Sequence, residues 1–316
     1  MKKPLIILTG PTAVGKTKAS ISLAKAINGE IISADSMQVY KHMDIGSAKI
    51  SKEEMQGIPH YLIDVLEPDE EFHVVRFQEM AKEALEKIYQ KNKIPIIVGG
   101  TGFYIQALLY DIDFTENNEQ TSYRRELEKL ATKNGPEYLH ALLRDVDPES
   151  ANAIHANNIK RVIRALEFYK LTGQKISTHN QLERAKESPY DFCYFVLTDE
   201  RENLYNRINH RIDQMLDAGL IDEVKALKQK GYTKEMVSMQ GLGYKEILDY
   251  LNESCSLEEA IYILKRDTRH FAKRQLTWFR RERDVIWVPK NQFEYNEEKI
   301  LEFMLKNIHE RTSIPC

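Results

Sequence analysis

The sequence predicts an α/β protein in which a parallel sheet is flanked by helices and carries an inserted all-helical domain. Over the first 110 residues, short apolar runs alternate with segments whose apolar residues recur at helical spacing. This alternation is typical of a doubly wound parallel sheet. From about Ile112 helical patterns dominate, and an apolar run at 192–197 then returns the chain to the sheet.

These patterns divide the chain into two predicted domains. Residues 1–112 and 190–316 are expected to form the α/β core with basic C-terminal helices, and residues 113–189 the helical insertion. Strands are predicted at 4–9, 30–34, 59–65, 94–98 and 192–197. Helices of the insertion are predicted at 123–133, 137–143, 148–155 and 159–171, and residues 203–228 are expected to form one long amphipathic helix or two.

One segment between the first predicted strand and the first predicted helix matches the phosphate-binding pattern G-x-x-x-x-G-K-S/T. It comprises Gly10, Pro11, Thr12, Ala13, Val14, Gly15, Lys16 and Thr17. Its glycines let successive N–H groups point at an anion, and the following helix adds the positive end of its dipole. Lys16 supplies a charge for the terminal phosphate, and the Thr17 hydroxyl is placed to hold Mg²⁺. A glycine-rich turn with a solvent lysine would not explain the flanking strand and helix, so we expect a P-loop NTPase-like fold that binds a di- or triphosphate.

Composition argues against several other classes of protein. The chain is 42% hydrophobic and 29% charged with a net charge of −3, so any nucleic-acid surface must be a local patch. Cys193, Cys255 and Cys316 are far apart, which argues against a disulfide framework and a zinc ribbon. No apolar run has the length of a signal peptide or a membrane span. We expect a cytoplasmic protein without a membrane partner and, since no coiled-coil pattern argues for assembly, a monomer.

Two further motifs follow predicted strands, whose carboxyl ends face the ligand site in sheets of this kind. Residues 35–38 follow the second strand, and the Asp35 carboxylate is expected beside the phosphate loop. Capping of a following helix would also explain an aspartate at this position. Residues 99–102 (Gly-Gly-Thr-Gly) follow the fourth strand. They form either a tight turn or, with Thr101, a backbone and hydroxyl surface that faces the phosphate loop.

Three groups of cations either contact phosphate or form solvated helix faces. One group lies at 160–164, at the start of a predicted helix. Arg207 and Arg211 are four residues apart and share one helix face, where like charges are destabilising unless an anion meets them. Residues 265–283 contain eight Lys or Arg and two Asp or Glu, interleaved with aromatic residues. Such a mixture suits phosphate backbones and stacked bases, so this segment favours RNA or a polyphosphate.

The phosphate loop alone does not identify the ligand as a nucleotide. A nucleotide-hydrolysing P-loop protein should also show an apolar strand that ends in a magnesium-holding acid. The most apolar strand, 94–98, ends in glycines, and no N-K-x-D guanine-reading motif is present. Asp35 and Asp64 lie at the ends of less apolar predicted strands and could hold magnesium in place of such an acid. An ATP-dependent kinase and an RNA-stimulated ATPase therefore remain as alternatives.

Four stretches, in this order, resemble the family of bacterial tRNA dimethylallyltransferases, the IPP transferases. They are 10–17 (GPTAVGKT), 35–40 (DSMQVY), 99–104 (GGTGFY) and 274–280 (RQLTWFR), and the resemblance extends over nearly the whole chain. It implies that the phosphate loop holds dimethylallyl diphosphate rather than ATP, with Mg²⁺ as the cofactor. The dimethylallyl group would go to N6 of the adenosine immediately 3′ of the anticodon in tRNAs that read codons beginning with U. Plant adenylate isopentenyltransferases are similar but act on free nucleotides, and the insertion and the basic segment favour the tRNA enzyme.

The resemblance also implies roles for individual residues. Asp35 would be the general base and would hydrogen-bond the adenine. Lys16 and Thr17, the latter with Mg²⁺, would stabilise the leaving diphosphate. Thr101 would join that group or touch the RNA.

The remaining assignments concern the arginine that binds the diphosphate and the residues that contact tRNA. We assign Arg211 to the diphosphate, with Arg207 as the alternative. The insertion would contact the tRNA anticodon stem-loop together with the core. Contacts with tRNA are implied for Asp35, Ser36, Met37, Gln38, Thr101, Ile159, Lys160, Arg161, Val162, Ile163, Gln240, Gly241, Leu242, Gly243, Tyr244, Lys245, Lys273, Arg274, Gln275, Trp278 and Arg280.

Overall fold

The computed structural model describes residues 2–114 and 122–314. Within these residues, six strands form one sheet in which every hydrogen-bonded pair is parallel. The strands are β1 (Lys3–Thr9), β2 (Gly29–Ala34), β3 (His60–Tyr61), β4 (Ile94–Gly99), β5 (Tyr190–Thr198) and β6 (Val285–Pro289). Their order across the sheet is β3-β2-β4-β1-β5-β6, which confirms the predicted α/β class.

Strand β1 lies inside the sheet, between β4 and β5. Strands pair with both edges of β1, and residues 5–8 are fully buried. A continuous aliphatic run is typical of a parallel strand that is covered on both faces. Since the strands are parallel, β1, β2, β4 and β5 all end at one edge of the sheet. The loops that follow these strands therefore meet at that edge.

The described residues also form fourteen α-helices. These are α1 (Lys16–Ala26), α2 (Lys52–Met55), α3 (Val74–Gln90), α4 (Gly102–Leu109), α5 (Ser122–Asn134), α6 (Pro136–Val146), α7 (Pro148–Ala153), α8 (Ile159–Thr172), α9 (Ile176–Ala185), α10 (Arg201–Asp217), α11 (Leu220–Gln229), α12 (Tyr244–Leu251), α13 (Leu257–Phe279) and α14 (Glu297–Arg311). None of the helices in the described ranges is both long and apolar enough to cross a membrane.

Several elements differ from the prediction for local reasons. The third strand is only His60–Tyr61, because Leu62 and Asp64 have φ of 63° and 55°, which ends the extended run. The segment expected to form one helix or two forms α10 and α11, separated at Gly219, whose φ is 100°. Strand β6 and helix α9 are not predicted, since β6 is a short run beside a highly charged segment and α9 is mostly polar.

The chain forms two compact units, residues 1–109 with 189–316 and residues 110–188. These breaks lie close to the predicted boundaries, and the predicted role of the second unit in contacting tRNA stays a prediction. The second unit has a hydrophobic core of its own, to which α5, α6 and α8 contribute. Its buried residues include Leu127, Leu139, Leu143, Val162 and Leu166.

Asp147 joins α7 to α9 inside the second unit, and only 1% of its surface is exposed. Its carboxylate accepts hydrogen bonds from the N–H and hydroxyl of Ser150, at 3.1 and 2.7 Å. It also accepts from the N–H and hydroxyl of Ser177, at 3.0 and 2.7 Å. Burial by itself raises the pKa of Asp147, but these hydrogen bonds outweigh it and the pKa lies below its ordinary value.

We expect Asp147→Ala to lower the free energy of opening of the second unit by about 2–3 kcal/mol, because buried donors lose a charged acceptor. Hydrogen exchange of peptides that contain Ser150 and Ser177 measures this change. Because the folded pKa of Asp147 is below the unfolded value, its stabilisation is present at neutral pH and is lost as the pH falls through the folded pKa. Asp145→Ala, which removes an exposed carboxylate from α6, should leave the exchange unchanged. Equal exchange in Asp147→Ala and the unmodified protein at pH 7 would contradict this account.

Candidate active site

The phosphate loop connects β1 to α1 at the carboxyl edge of the sheet. Gly10 has a φ of 147°, and a Cβ there would lie 2.4 Å from the carbonyl oxygen of Leu197 on β5. Only glycine allows the loop to pass this close to its neighbour. Gly15 precedes the first residue of α1, so the loop ends at the N-terminus of that helix. Free backbone N–H groups and the helix dipole favour an anion at this position.

Lys16 is the first residue of α1, and its side chain folds back over the loop. Its Nζ donates to the carbonyl oxygens of Gly10 and Pro11, at 3.0 and 2.9 Å. Burial lowers the pKa of Lys16 to about 8, an effect that nearby Asp35 opposes and nearby Arg211 increases. These three charged groups therefore act on one another electrostatically, although they come from three separate segments of the chain.

Asp35 directly follows β2 and closes a turn, and does not cap a helix. Its Oδ1 accepts the N–H groups of Met37 at 2.8 Å and Gln38 at 3.3 Å. Its second carboxylate oxygen, Oδ2, makes no hydrogen bond within the described part of the chain. The turn thus fixes the orientation of the carboxylate. One of its oxygens is left available to a ligand.

The two candidate arginines have different partners. Arg207 donates to the carboxylate of Asp199, which is fully buried. Arg211 donates to a neutral acceptor, the carbonyl oxygen of Ala48, at 3.5 Å. Burial lowers the pKa of Arg211, and nearby Asp35 opposes this effect. The Arg211 charge has no carboxylate in hydrogen-bond contact among the described residues, which favours Arg211 over Arg207 as the anion-binding arginine.

Gln275, on α13, joins the two glycine loops. Its Oε1 accepts the N–H of Thr12 at 2.9 Å, and its Nε2 donates to the carbonyl oxygen of Gly100 at 3.0 Å. The side chain is buried. A Cβ at Gly100 would lie 2.2 Å from this Nε2, so the glycine allows the contact. Gln275 therefore supports the phosphate loop from within, and its contact with tRNA stays a prediction.

The second glycine loop continues into an aromatic pair. The N–H of Thr101 donates to the carbonyl oxygen of Ala34, the last residue of β2, at 3.2 Å. Trp278 packs against Gly102, where a Cβ would lie 2.2 Å from the indole ring. Phe103 meets Trp278 edge to face, with ring centroids 6.1 Å apart, and is 42% exposed. Phe103 is absent from the predicted site, although an exposed aromatic residue directly after a ligand loop could have indicated it.

The outer face of α13 carries the predicted RNA-contacting cations. Lys273 and Arg274 on the helix are exposed, as is Arg280 directly after it. An open groove of about 400 Å³ runs along this face, and its lining comprises His270, Lys273, Arg274, Thr277, Trp278 and Arg281. Cations with an aromatic side chain are typical of surfaces that bind single-stranded RNA.

The predicted turn at 240–245 lies against the Asp35 turn. A Cβ at Gly241 would come within 2.4 Å of the methyl group of Met37. Tyr244 is buried and its hydroxyl is bonded to Glu223 and to the N–H of Ser47, so its side chain does not face solvent. A direct contact of this side chain with tRNA would require the turn to open.

Residues 159–163 are at the start of α8 in the second unit. Lys160 and Arg161 are exposed, whereas Val162 and Ile163 lie in the hydrophobic core of that unit. Lys160 and Arg161 therefore offer exposed side chains to RNA, and Ile159 is partly buried. The contact of residues 159–163 with tRNA stays a prediction.

Lys290 is a second lysine at the phosphate loop, and sequence reasoning missed it. Its Nζ would lie 3.0 Å from a Cβ at Gly15, and its side chain is buried and paired with Glu297 at 3.1 Å. Lys290 directly follows β6. Recognition of 285–289 as a strand would have placed this residue at the carboxyl edge of the sheet.

A small cavity of about 60 Å³ adjoins the phosphate loop. Its polar lining includes Lys16, Thr17, Asp35 and Gln38, and its aliphatic lining is formed by Ile31, Ile50, Ile63 and Val98. Among the described residues, no three His, Cys, Asp or Glu side chains gather that could hold a metal ion by themselves. Mg²⁺ commonly keeps several waters and shares one or two protein groups with substrate phosphates. The Thr17 hydroxyl on this cavity fits such a shared site.

Comparison with known proteins shows the family to which the chain belongs. The family model for IPP transferases matches residues 38–282. A tRNA dimethylallyltransferase of Lachnoclostridium phytofermentans is 64% identical over 312 residues, which is 99% of each chain. The crystal structure of a tRNA isopentenylpyrophosphate transferase from Bacillus halodurans is 46% identical with a TM-score of 0.74, and the match covers 98% of each chain. A structure of a eukaryotic dimethylallyltransferase acting on tRNA has a TM-score of 0.84 at 31% identity, over 99% of this chain and 81% of the other. With this identity over nearly its whole length, the chain belongs to the IPP transferase family.

Proposed function

We propose that this protein transfers the dimethylallyl group of dimethylallyl diphosphate to N6 of the adenosine immediately 3′ of the anticodon, in tRNAs that read codons beginning with U. The observation that carries this proposal is the position of α13. Its Gln275 holds the phosphate loop, while its outer face presents exposed cations such as Lys273 and Arg274. Phosphate chemistry and an RNA-binding surface thus share one helix. The 64% identical relative, named as a tRNA dimethylallyltransferase, supports the same reaction.

The donor would bind through its diphosphate. Loop N–H groups, Lys16 and Arg211 place positive charge where negative charge develops as the allylic C–O bond breaks. In the free protein, Lys16 donates to two carbonyl oxygens, which a diphosphate would replace with charge-assisted hydrogen bonds. The aliphatic side of the adjoining cavity shares the apolar character of a five-carbon chain. Mg²⁺, held by Thr17, would neutralise further charge on the diphosphate.

The acceptor is an exocyclic amine, which is a weak nucleophile because its lone pair is delocalised into the purine ring. As the C–N bond forms, the C–O bond breaks with its electron pair leaving on the diphosphate. One N–H proton must then be removed. The Oδ2 of Asp35 is the group available for that proton, since Oδ1 is held by the turn. The adenine must leave its stack to reach this position, as in other enzymes that modify a base.

The site has less support for an ATP-dependent kinase or an RNA-stimulated ATPase. Strand β4 lies directly beside β1 and ends at Gly99, where a nucleotide-hydrolysing P-loop protein would need an acid to hold magnesium. A Cβ at Gly99 would lie 2.2 Å from the carbonyl oxygen of Ala34, so no larger residue fits here. Asp35 instead follows β2, one strand farther from β1.

We further propose that the protein acts as a monomer in the cytoplasm, where tRNA is processed. The phosphate loop, Asp35 and Arg211 all come from one chain, so the proposed reaction requires no second copy.

Purified protein incubated with Mg²⁺, dimethylallyl diphosphate and unmodified tRNA should add one C₅H₈ unit to the anticodon-loop fragment. Mass spectrometry of the digested tRNA measures the gain and locates it. The same tRNA with guanosine in place of the target adenosine should gain nothing. ATP turnover without a mass gain would overturn the proposal and favour a kinase or an ATPase.

The affinity for dimethylallyl diphosphate should fall as the pH rises through about 8, the pKa of Lys16 in the free protein. The ammonium form binds the anion, so above that pH the dissociation constant should approach a rise of about tenfold per pH unit. Titration calorimetry without tRNA, between pH 7 and 9.5, measures this dependence. Lys16→Arg keeps its charge throughout this range and should flatten the profile even if its affinity is lower. The same pH profile in both proteins would show that another group titrates.

Asp35→Asn should lower the rate of prenyl transfer by about 10²- to 10⁴-fold, the usual contribution of a general base. An amide oxygen can still accept the two N–H groups of the turn, so the backbone is expected to persist. The affinity for dimethylallyl diphosphate at pH 7 should change little. Asp69→Asn, at an exposed carboxylate, serves as the control. If diphosphate affinity collapses together with transfer, Asp35 serves diphosphate or metal binding and is not the base.

A further inference from the structure

Residues 43–49, here the 43–49 loop, connect the Asp35 turn to α2 and are absent from the predicted site. Glu223 on α11 holds this loop from one side. Its Oε2 accepts the N–H groups of Asp44 and Ile45, at 2.8 and 2.7 Å, and its Oε1 accepts that of Gly46 at 3.0 Å. Three successive N–H groups that point at one carboxylate form an anion-binding concavity. One side chain thus fixes three consecutive peptide units.

Tyr244 extends the same arrangement by one residue. Its hydroxyl donates to Oε1 of Glu223 at 2.9 Å and accepts the N–H of Ser47 at 3.1 Å. Burial raises the pKa of Tyr244, so the hydroxyl keeps its proton and remains a donor. A Cβ at Gly46 would lie 2.6 Å from the Tyr244 ring, so the loop and the ring are in close contact.

Lys49 holds the end of the loop. Its Nζ donates to the carbonyl oxygen of Tyr40 at 2.7 Å and to the carboxylates of Asp44 and Asp64, each at 2.5 Å. The Lys49 side chain is 5% exposed. The loop is therefore bound at both ends by charged groups.

The held loop presents its carbonyl groups to two residues of the proposed active site. The carbonyl oxygen of Ala48 accepts hydrogen bonds from Nε2 of Gln38 at 3.2 Å and from Nη2 of Arg211 at 3.5 Å. Ala48 has a φ of 47°, a left-handed conformation that alanine rarely adopts and that persists only where surrounding contacts enforce it. Glu223 and Tyr244 hold residues 44–47, which directly precede Ala48, and so help to enforce this conformation.

We propose that Glu223 is a positioning residue for the transfer reaction: it holds the 43–49 loop so that the Ala48 carbonyl group orients Arg211 toward the diphosphate. This inference rests on the proposed function. A carbonyl acceptor orients the guanidinium without neutralising it, whereas a direct carboxylate partner, such as the one Arg207 has in Asp199, would compete with the substrate. Glu223 acts at a distance, through backbone N–H groups, and does not touch the substrate.

The test compares Glu223→Gln with Asp222→Asn, which removes an exposed carboxylate from the same helix. Glu223→Gln keeps the side-chain volume but replaces one acceptor oxygen and the charge. We expect kcat/KM for prenyl transfer to fall about 10- to 50-fold and the dissociation constant of inorganic diphosphate to rise about 5- to 20-fold. Asp222→Asn should leave both unchanged. Tyr244→Phe removes one hydrogen bond of the set and should give a smaller change, about 3- to 5-fold, in the same direction.

A double-mutant cycle with Arg211→Lys separates positioning from general destabilisation. If Glu223 acts through Arg211, Glu223→Gln should cost less than about twofold in kcat/KM when Arg211 is already Lys. If the loss of kcat/KM in the double variant equals the product of the losses in the two single variants, the proposal is overturned, since a merely structural role is independent of Arg211. Hydrogen exchange of the peptide that covers the 43–49 loop should rise in Glu223→Gln, and unchanged exchange would also overturn it.

The exchange and diphosphate measurements need neither tRNA nor a prenyl donor. If the unmodified protein fails to prenylate tRNA while Glu223→Gln still frees the loop and weakens diphosphate binding, the proposed function fails and the positioning role stands. If the unmodified protein prenylates tRNA and Glu223→Gln equals it in all three measurements, the positioning role alone fails.

Discussion

The position of β1 between β4 and β5 determines where chemistry can occur in this fold. Because the neighbouring strands are parallel, β1, β2 and β4 end at one edge of the sheet, and the loops that follow them lie against one another. The backbones approach so closely that a Cβ at Gly10 would lie 2.4 Å from the carbonyl oxygen of Leu197. A Cβ at Gly99 would lie 2.2 Å from the carbonyl oxygen of Ala34. Side chains larger than hydrogen are excluded there. The centre of the site is therefore built from backbone, and the chemistry depends on a few side chains that enter from its border.

Two cations at that border, Lys16 and Arg211, have neutral acceptors in the free protein. Lys16 donates to the carbonyl groups of Gly10 and Pro11, and Arg211 to that of Ala48. Carbonyl groups orient a cation and leave its charge for an arriving anion, whereas a carboxylate would neutralise it. Burial lowers the pKa of Lys16, and the nearby charge of Asp35 opposes this effect only in part. Arg207, on the same helix as Arg211, shows the opposite arrangement, because it forms an ion pair with the buried carboxylate of Asp199.

Features that are local in the chain could be predicted from the sequence, and features that depend on distant contacts could not. The α/β class and the phosphate loop follow from apolar runs and glycine spacing within short windows. The contact of Gln275 with RNA, which the resemblance implies, stays a prediction, whereas its hydrogen bonds to the two glycine loops are not predicted, because helical spacing does not tell whether an amide faces solvent or the phosphate loop. Lys290 is not predicted as a site residue, because the strand that it follows, β6, is not predicted either. Glu223 carries no signal at all, since its partners are backbone N–H groups, which every residue except proline possesses.

The two proposed tasks of the chain, holding a diphosphate and contacting tRNA through the insertion, are supported by separate cores. The second unit has its own hydrophobic cluster and its own buried anchor in Asp147, whereas the phosphate loop depends on β1 and on Gln275. Lys160 and Arg161 project from the second unit while Val162 and Ile163 fill its core. Substitution of the two exposed cations would therefore change the surface offered to RNA without altering the packing on which either unit depends. Within these four residues of α8, the exposed charges and the buried core residues are different side chains. The affinity for RNA and the stability of the unit can therefore change independently of each other.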